Sequence, residues 1–470
     1  MFRHFVVLAC FLLTLSMGLS PASSVEATAE TPKRPPANLV IVFADDLGYG
    51  DLGCYGHPSI RTPRLDQMAA EGVRFTDFYS AAEVCTPSRA ALLTGRYPIR
   101  SGMCEMPGAR RVLFPNSAGG LPPEEQTIAE LLKPHGYATA HIGKWHLGIH
   151  AGARPNEQGF DYSFGLPYSN DMDARPDLPK GAVASTNPPK DGWNVALQRN
   201  GKIIEQPAVQ ETLTRRYTDE AVQFIRQNKE RPFFVYLAHS MPHVPLFASD
   251  EFRGKSARGL YGDVLEELDA NVGRILDSIK AEGLAERTLV VFTSDNGPWL
   301  TMGAQGGSAG LLRDGKGSTW EGGMRVPAIA WQPGRLKPGV TSELACMMDL
   351  LPTALARAGV ESPRDLTLDG CDLSPLLDEG KPLPPRPFFY YRGDQLFACR
   401  LGPWKAHFAT QGGYTEPRRT THEPPLLFHL SRDPAERFNV ASENAEPLQA
   451  ILAAVKTHAE KITRGAPQLK

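Results

Sequence analysis

The sequence predicts an α/β fold: a large domain on a mostly parallel sheet, residues 36–380, followed by a small C-terminal α+β subdomain, residues 388–465. Three observations predict it. Four short apolar runs, residues 38–43, 233–238, 288–293 and 326–331, are continuous rather than alternating, as strands covered on both faces are. Helical patterns separate them, which argues for parallel strands joined by crossovers. After a proline-rich stretch at 381–387 the texture changes to closely spaced strand-like runs.

In chain order, Arg3 and His4 precede an apolar run over residues 5–19 and then small residues to Ala27. This is the layout of a secretory signal peptide, residues 1–27, and the run is too short to span a membrane. Helices are expected at 63–70, 126–135, 213–228 and 263–281. In the third, Tyr217, Ala221, Phe224 and Ile225 fall on one face. Residues 172–207 are rich in Pro, Asn and Gly without periodicity, and read as a long ordered insertion or lid. Antiparallel strands are expected at 388–392, 396–400, 405–409 and 426–430, with a closing helix at 446–462.

Composition narrows the function. With 50 Lys and Arg against 52 Asp and Glu, the net charge is −2, which excludes a broadly basic nucleic-acid binder and an acidic disordered chain. Seven cysteines in 470 residues do not make a disulfide scaffold, and the six beyond the leader show no CxxC pairing of the kind that holds zinc. No Asn lies in an N-x-Ser/Thr sequon, which points to a bacterial exported protein, periplasmic or extracellular.

In open α/β sheets ligands bind beyond the carboxyl ends of the strands. Two expected strands end in oxygen ligands there: Asp45-Asp46 and Asp295-Asn296. Three carboxylates and an amide at one sheet edge repel unless a cation neutralises them, and all-oxygen ligands suit Ca²⁺ or Mg²⁺. The competing reading is that Asp46 or Asn296 only caps a turn. Between them lies Cys85-Thr86-Pro87-Ser88-Arg89, where Thr86 or Cys85 can cap a helix and Pro87 suits its first turn. Cys85 then sits at a helix N-terminus, which favours an anion, with Arg89 one turn on. A buried structural cysteine is the competing reading.

Cys85-x-Pro87-x-Arg89, continued to Arg96 as CTPSRAALLTGR, resembles the signature at which type I sulfatases convert a cysteine to formylglycine (3-oxoalanine). Residues 136–148, GYATAHIGKWHLG, resemble the second signature of that family, and the likeness runs from about Leu39 to Val440. Residues 44–56, 310–323 and 405–408 look like the arylsulfatase A branch. Residues 390–394 and 428–438 look more like the N-acetylgalactosamine-6-sulfatase branch.

The resemblance implies an alkaline-phosphatase-like fold and a sulfuric ester hydrolase. It implies that Asp45, Asp46, Asp295 and Asn296 bind a divalent cation, most readily Ca²⁺, with residue 85 as a further contact. Cys85 matches the residue that becomes formylglycine and Arg89 the cation that orients its hydroxyl. Lys144, His243, Lys316 and, in a variable loop, Ser169 match sulfate contacts, and His146 matches a catalytic histidine. His243 or Lys316 would protonate the leaving group. His239 reads equally well as a hydrogen-bonded strand-end residue. Implied partners are a sulfated carbohydrate or aryl sulfate as substrate and a formylglycine-generating enzyme in maturation, with no nucleic acid and no transmembrane segment after leader cleavage.

Two alternatives stay open: a phosphatase or phosphodiesterase of the same superfamily, and a sulfoglycan-binding protein without turnover. The substrate itself is expected to be set by loops such as residues 172–207 and 411–425.

Overall fold

The large sheet forms because the apolar runs are strands buried on both faces. In the computed structural model, which describes residues 1–2, 37–414, 416 and 418–470, β1 (Asn38–Ala44), β7 (Phe233–Ala238) and β8 (Thr288–Ser294) are buried throughout. They pair in parallel with β1 at the centre, Val40 opposite Val235 on one side and Val290 on the other. β3 (Ala138–Gly143) continues the parallel run beside β7, and β4 (Tyr162–Gly165) follows it. On the other flank β9 (Arg325–Trp331) runs antiparallel to both β8 and β2 (Val73–Tyr79). The short strands β10 (Gly339–Thr341) and β11 (Ala345–Cys346) lie parallel against β2.

Helices cover both faces. One hydrophobic core packs under the helix Cys85–Thr94, and the other under the helices Pro63–Glu71, Leu213–Gln227 and Leu260–Ala281. The expected helix at 126–135 begins at Ile128, where Thr127 and Glu130 exchange a capping box, and its end tightens to a 3₁₀ turn, Lys133–His135. The helix expected from Asp263 begins at Leu260.

The insertion at 172–207 differs from expectation. Its second half is a hairpin, β5 (Leu197–Arg199) and β6 (Lys202–Glu205), that lengthens the large sheet by pairing with β4. Asn200 and Gly201 form the two-residue turn with φ of 48° and 74°, as an Asn-Gly pair allows without strain.

The C-terminal region is a separate antiparallel sheet of four strands, β12 (Pro387–Arg392), β13 (Gln395–Leu401), β14 (Trp404–Thr410) and β15 (Thr420–His429), packed with the helix Ala445–Lys461. It is the small α+β element read from the sequence. The expected leader, residues 1–27, lies outside the described residues apart from Met1 and Phe2. Among the described residues no helix is long and apolar enough to cross a membrane.

Candidate active site

Four parallel strands deliver the site. Ala44 of β1 lies opposite Ser294 of β8, and Phe43 opposite Ala238 of β7, which is itself opposite Gly143 of β3. The residues that follow, Asp45-Asp46, Asp295-Asn296, the segment to His243, and Lys144, therefore leave the sheet at one level. Backbone bonds hold them there: the Asp295 N–H donates to Ala44 O at 3.2 Å, and the Lys144 N–H to Ala238 O at 2.7 Å. Asp46 has φ of 63°, and its N–H donates to Asp295 Oδ1 at 3.0 Å, so the chain turns back over its neighbour.

The helix Cys85–Thr94 points its first residue at this edge, buried along its whole length. Its N-cap is Val84, not Thr86 or Cys85. The Thr86 hydroxyl is engaged elsewhere, donating to His146 O at 3.2 Å and accepting from the Leu113 N–H. Sγ of Cys85 and carboxylate oxygens of Asp45 and Asp295 all lie within 4.8 Å of one another. Burial pushes the Cys85 thiol up to about 11 despite the opposing pull of Lys144 and Lys316. The helix dipole does not make this cysteine a thiolate, so at neutral pH it is no nucleophile as it stands.

Three cations enclose the carboxylates. Arg89, fully buried, places Nη2 2.9 Å from Asp295 Oδ2 and 3.5 Å from Asp45 Oδ2. Lys144 Nζ lies 2.6 Å from Asp45 and 3.1 Å from Ser169 Oγ, and Lys316 Nζ lies 2.7 Å from Asp46. Burial alone would raise Asp45, but Lys144, His243 and Arg89 together hold it well below the usual carboxylate range. Burial and the neighbouring Asp45 instead push Asp295 up to about 7, and burial raises Asp46. Asp46 holds the Lys316 ammonium well above its ordinary value against the cost of burial.

This set fits a hard divalent cation. Asp45 Oδ1 and Asn296 Oδ1 are buried without a hydrogen-bond donor, although Asn296 Nδ2 donates to Asp46 Oδ1 at 2.7 Å. Two orphaned oxygens and two carboxylates with raised affinity for protons mark a place short of positive charge. His243 also has a metal-capable nitrogen within 4.8 Å of Asp45 and Asp46 oxygens, a position that the all-oxygen expectation did not include.

The two candidate histidines have definite ring roles. His146 Nε2 faces Leu113 O at 2.8 Å, and a carbonyl only accepts, so Nε2 carries the proton and Nδ1, without a partner, carries the lone pair. Burial and then Lys144 hold His146 neutral. His243 Nδ1 faces Val244 O at 2.5 Å, which leaves Nε2 directed at Asp46 Oδ2, 3.6 Å away. Burial first and Lys316 next keep His243 neutral as well.

His239 is not the hydrogen-bonded residue expected. Both ring nitrogens are buried without partners, its edge packs near Tyr217, and burial lowers its pKa to about 3. It is an apolar core residue in practice. Sequence reasoning missed Asp171, whose carboxyl is raised by burial and opposed by Lys144 and Lys316. Its position two residues after Ser169 was the only signal. Asp45, Asp46, Cys85, Arg89, Lys144, His146, Ser169, His243, Asp295, Asn296 and Lys316 are brought together, and none of them is exposed.

Similarity to known proteins agrees with this geometry. The sulfatase family model matches residues 37–360, and the model of the C-terminal region of aryl-sulfatase matches residues 383–470. The chain is 47% identical to arylsulfatase A of Homo sapiens over 472 residues, covering 94% of this chain and 89% of that one. It is 43% identical to N-acetylgalactosamine-6-sulfatase of Homo sapiens, covering 92% and 88%. The crystal structure of Ps i-CgsB in complex with k-i-k-neocarrahexaose superposes with a TM-score of 0.78 at 30% identity, covering 93% and 95%. Two family models that between them take in both sheets, with identity spread over nearly the whole chain, settle the matter: the chain belongs to the sulfatases, a family of sulfuric ester hydrolases, on the alkaline-phosphatase-like fold.

Proposed function

We propose that this sulfatase hydrolyses sulfate esters of carbohydrates or aryl alcohols through a formylglycine formed from Cys85. The observation that carries the reading is the placement of a fully protonated thiol at a helix start, against two carboxylates and among three buried cations. Converted to a hydrated aldehyde by a formylglycine-generating enzyme, residue 85 supplies two hydroxyls on one carbon, one to attack sulfur and one to let the aldehyde re-form. Asp45, Asp46, Asp295, Asn296 and residue 85 would hold a divalent cation, Ca²⁺ in preference to Mg²⁺ because its coordination is more tolerant. Such a cation supplies Lewis-acid polarisation of a sulfate oxygen.

The chain's own residues supply the rest. Lys144 and Lys316 set fixed positive charge beside the sulfate, and Ser169 holds Lys144 in place. Arg89 steadies Asp45 and Asp295 and orients residue 85. His146, neutral with its lone pair on Nδ1, removes the proton that frees sulfate. Of the two leaving-group acids, Lys316 already carries its proton in the free site, whereas His243 must gain one at Nε2 when substrate arrives.

The Cys85-x-Pro87-x-Arg89 pattern with Lys144 and Lys316 beside it disfavours the phosphatase alternative, and the complete set of catalytic side chains disfavours a binding protein without turnover. Export through the leader of residues 1–27 belongs to the same reading. The test is paired: peptide mass spectrometry at residue 85, and turnover of nitrophenyl sulfate beside nitrophenyl phosphate. An aldehyde with sulfate turnover supports the reading. A free thiol in fully active protein, or faster phosphate turnover, overturns it.

A further inference from the structure

Trp299 lies three residues after the ligand candidate Asn296, where the chain leaves β8. Its ring touches the cationic end of the site. Lys316 Nζ lies over it, 4.4 Å from the ring centroid, and the His243 ring is 5.5 Å away. Tyr414 lies 5.1 Å from the same indole, tilted by 39°. Tyr414 is 44% exposed and Trp299 half-buried, so the pair leads from the sulfate contacts out to solvent.

The pair is held by backbone. The Lys316 N–H donates to Pro298 O at 2.9 Å, tying the Trp299 turn to the lysine loop. The Gly413 N–H donates to Asp314 Oδ2 at 3.1 Å, tying the Tyr414 turn to that loop too. Among the described residues, no cation around it is left without a counter-charge. Arg111, whose guanidinium lies 5.0 Å from the Tyr414 ring, pairs with Glu83 at 3.0 Å and Glu105 at 3.5 Å. Arg392 donates to the carbonyls of Gly317 and Gly412 and lies within the field of the same two glutamates. Two arginines against Glu83, Glu105 and Asp314 leave the rim without an excess of positive charge.

We propose that Trp299 and Tyr414 form the platform for the leaving group, and that the group they take is an uncharged pyranose ring carrying the sulfate. The proposal rests on the sulfatase reading above and adds the class of alcohol. An ester bound with its sulfate at Lys316 and His243 must send its alcohol past Trp299, because that ring contacts both. A sugar ring presents a flat C–H face suited to an indole and a phenol set in a shallow wedge. A rim with no cation to spare offers a second sulfate or a uronic carboxylate no counter-charge, so polyanionic chains gain nothing there.

The experiment uses full-length enzyme whose residue 85 is shown by mass spectrometry to be the aldehyde. Three esters are compared: methyl galactopyranoside 6-sulfate, nitrophenyl sulfate and ring-free propyl sulfate. Trp299→Ala should raise KM for the galactoside roughly 3–10-fold, the scale of one aromatic contact, with kcat changed less than about twofold. Any KM rise for propyl sulfate, which has no ring to lose, should be smaller by that factor. Tyr414→Ala should act in the same direction with a smaller effect, and Trp299→Phe should restore most of the loss. Equal losses on the galactoside and propyl sulfate would make Trp299 structural and overturn the proposal. A KM rise confined to nitrophenyl sulfate would assign the platform to aryl rings instead, and a lower KM for a disulfated galactoside would overturn the claim that the rim has no cation to spare. Unmutated enzyme that turns over none of the three esters sinks the sulfatase reading itself, which separates that failure from failure of the platform.

Discussion

Two clusters of buried charge stand in this molecule, and they are built differently. One joins the two sheets. Glu321 accepts from Tyr79 at 2.6 Å, from Tyr390 at 3.0 Å and from Lys405 at 2.9 Å, while Glu436 accepts from Lys405, His407 and the Glu321 N–H. Asp77 takes both Arg325 and Arg400. Every carboxylate oxygen in it is paired. Burial would raise Glu321, but Lys405, Arg325 and Arg400 bring it down to about 2. The other cluster is the candidate active site. It holds as many cations as carboxylates, yet Asp45 Oδ1 and Asn296 Oδ1 are orphaned and Asp295 is pushed up to about 7. The contrast lies in the oxygens: a buried network whose carboxylates are all paired is structure, and one that leaves acceptor oxygens bare has a place for a cation.

The largest expected effect breaks the comparison from the site's side. Asp295→Ala should lower turnover by on the order of 10⁴, as loss of a member of a catalytic set does, and abolish binding of one Ca²⁺ per chain by elemental analysis. Its melting temperature without metal should fall little, because one repelled carboxyl has been removed. Retained turnover with bound metal would show that the unsatisfied atoms are incidental.

From the junction's side, Glu321→Ala leaves the buried Tyr79 and Tyr390 hydroxyls without their acceptor and takes from Lys405 one of its two carboxylates. Removing one partner of a buried pair costs about 3–5 kcal/mol, to be read as a shift of the denaturant midpoint. The folded fraction should keep kcat within a few-fold. A loss of kcat without loss of stability would mean that this cluster also serves the chemistry.

Next in size come the groups that act on the sulfate. Lys316→Ala should lower kcat by about 10²–10³, the effect of deleting one charge-stabilising donor. If Lys316 is the leaving-group acid, the loss should be greatest for sugar alcohols and least for nitrophenol. His146→Ala should lower steady-state kcat by about 10²–10⁴, and in rapid kinetics should release one equivalent of nitrophenol and then stall. A leaving-group dependence for His146→Ala and a burst for His243→Ala would exchange the two histidines.

The two clusters also differ in how far the sequence exposes them. The site was legible because its ligands are local: each follows an apolar strand, and parallel pairing alone brings Asp45-Asp46 beside Asp295-Asn296. What was missed depends on long-range packing. The Leu113 carbonyl that sets the His146 tautomer is 33 residues away, and Asp171 and Trp299 carry no motif. The junction was invisible, since Lys405 and Glu321 are 84 residues apart and each reads as a surface charge. β2 was hidden because Arg74 and Asp77 interrupt its apolar pattern, and Asp77 is tolerable there only through Arg325 and Arg400. The β5–β6 hairpin is a different case: Asn200-Gly201 was a readable turn signal, overlooked because the prolines upstream made the whole insertion look aperiodic.

The smallest effect sharpens the contrast by pH. Asp295 titrates near 7 in the metal-free fold against an ordinary 3.8, so between those values the folded state holds a proton that the unfolded chain has lost. Stability of chelated protein from this group is therefore fully present below about 4 and falls as pH rises towards 7. Glu321 has the opposite sign: with its carboxyl lowered to about 2 from 4.5, its contribution is present above 4.5 and is lost as pH falls towards 2. Added Ca²⁺ should raise the melting temperature more at pH 7 than at pH 4.5, because at the lower pH it must displace that proton. Melting curves with chelator and with Ca²⁺, taken from about pH 2 to pH 8 on the unmutated protein and on Asp295→Asn, measure this directly. The asparagine variant should lose one part of the slope between pH 4 and 7, the remainder belonging to Asp51 and Asp269, which burial also raises to about 7, while keeping the acid-side loss that belongs to Glu321. A slope that the substitution does not diminish, or a Ca²⁺ effect that is equal at both pH values, would remove the proton from Asp295 and with it the claim that this edge of the sheet is short of positive charge.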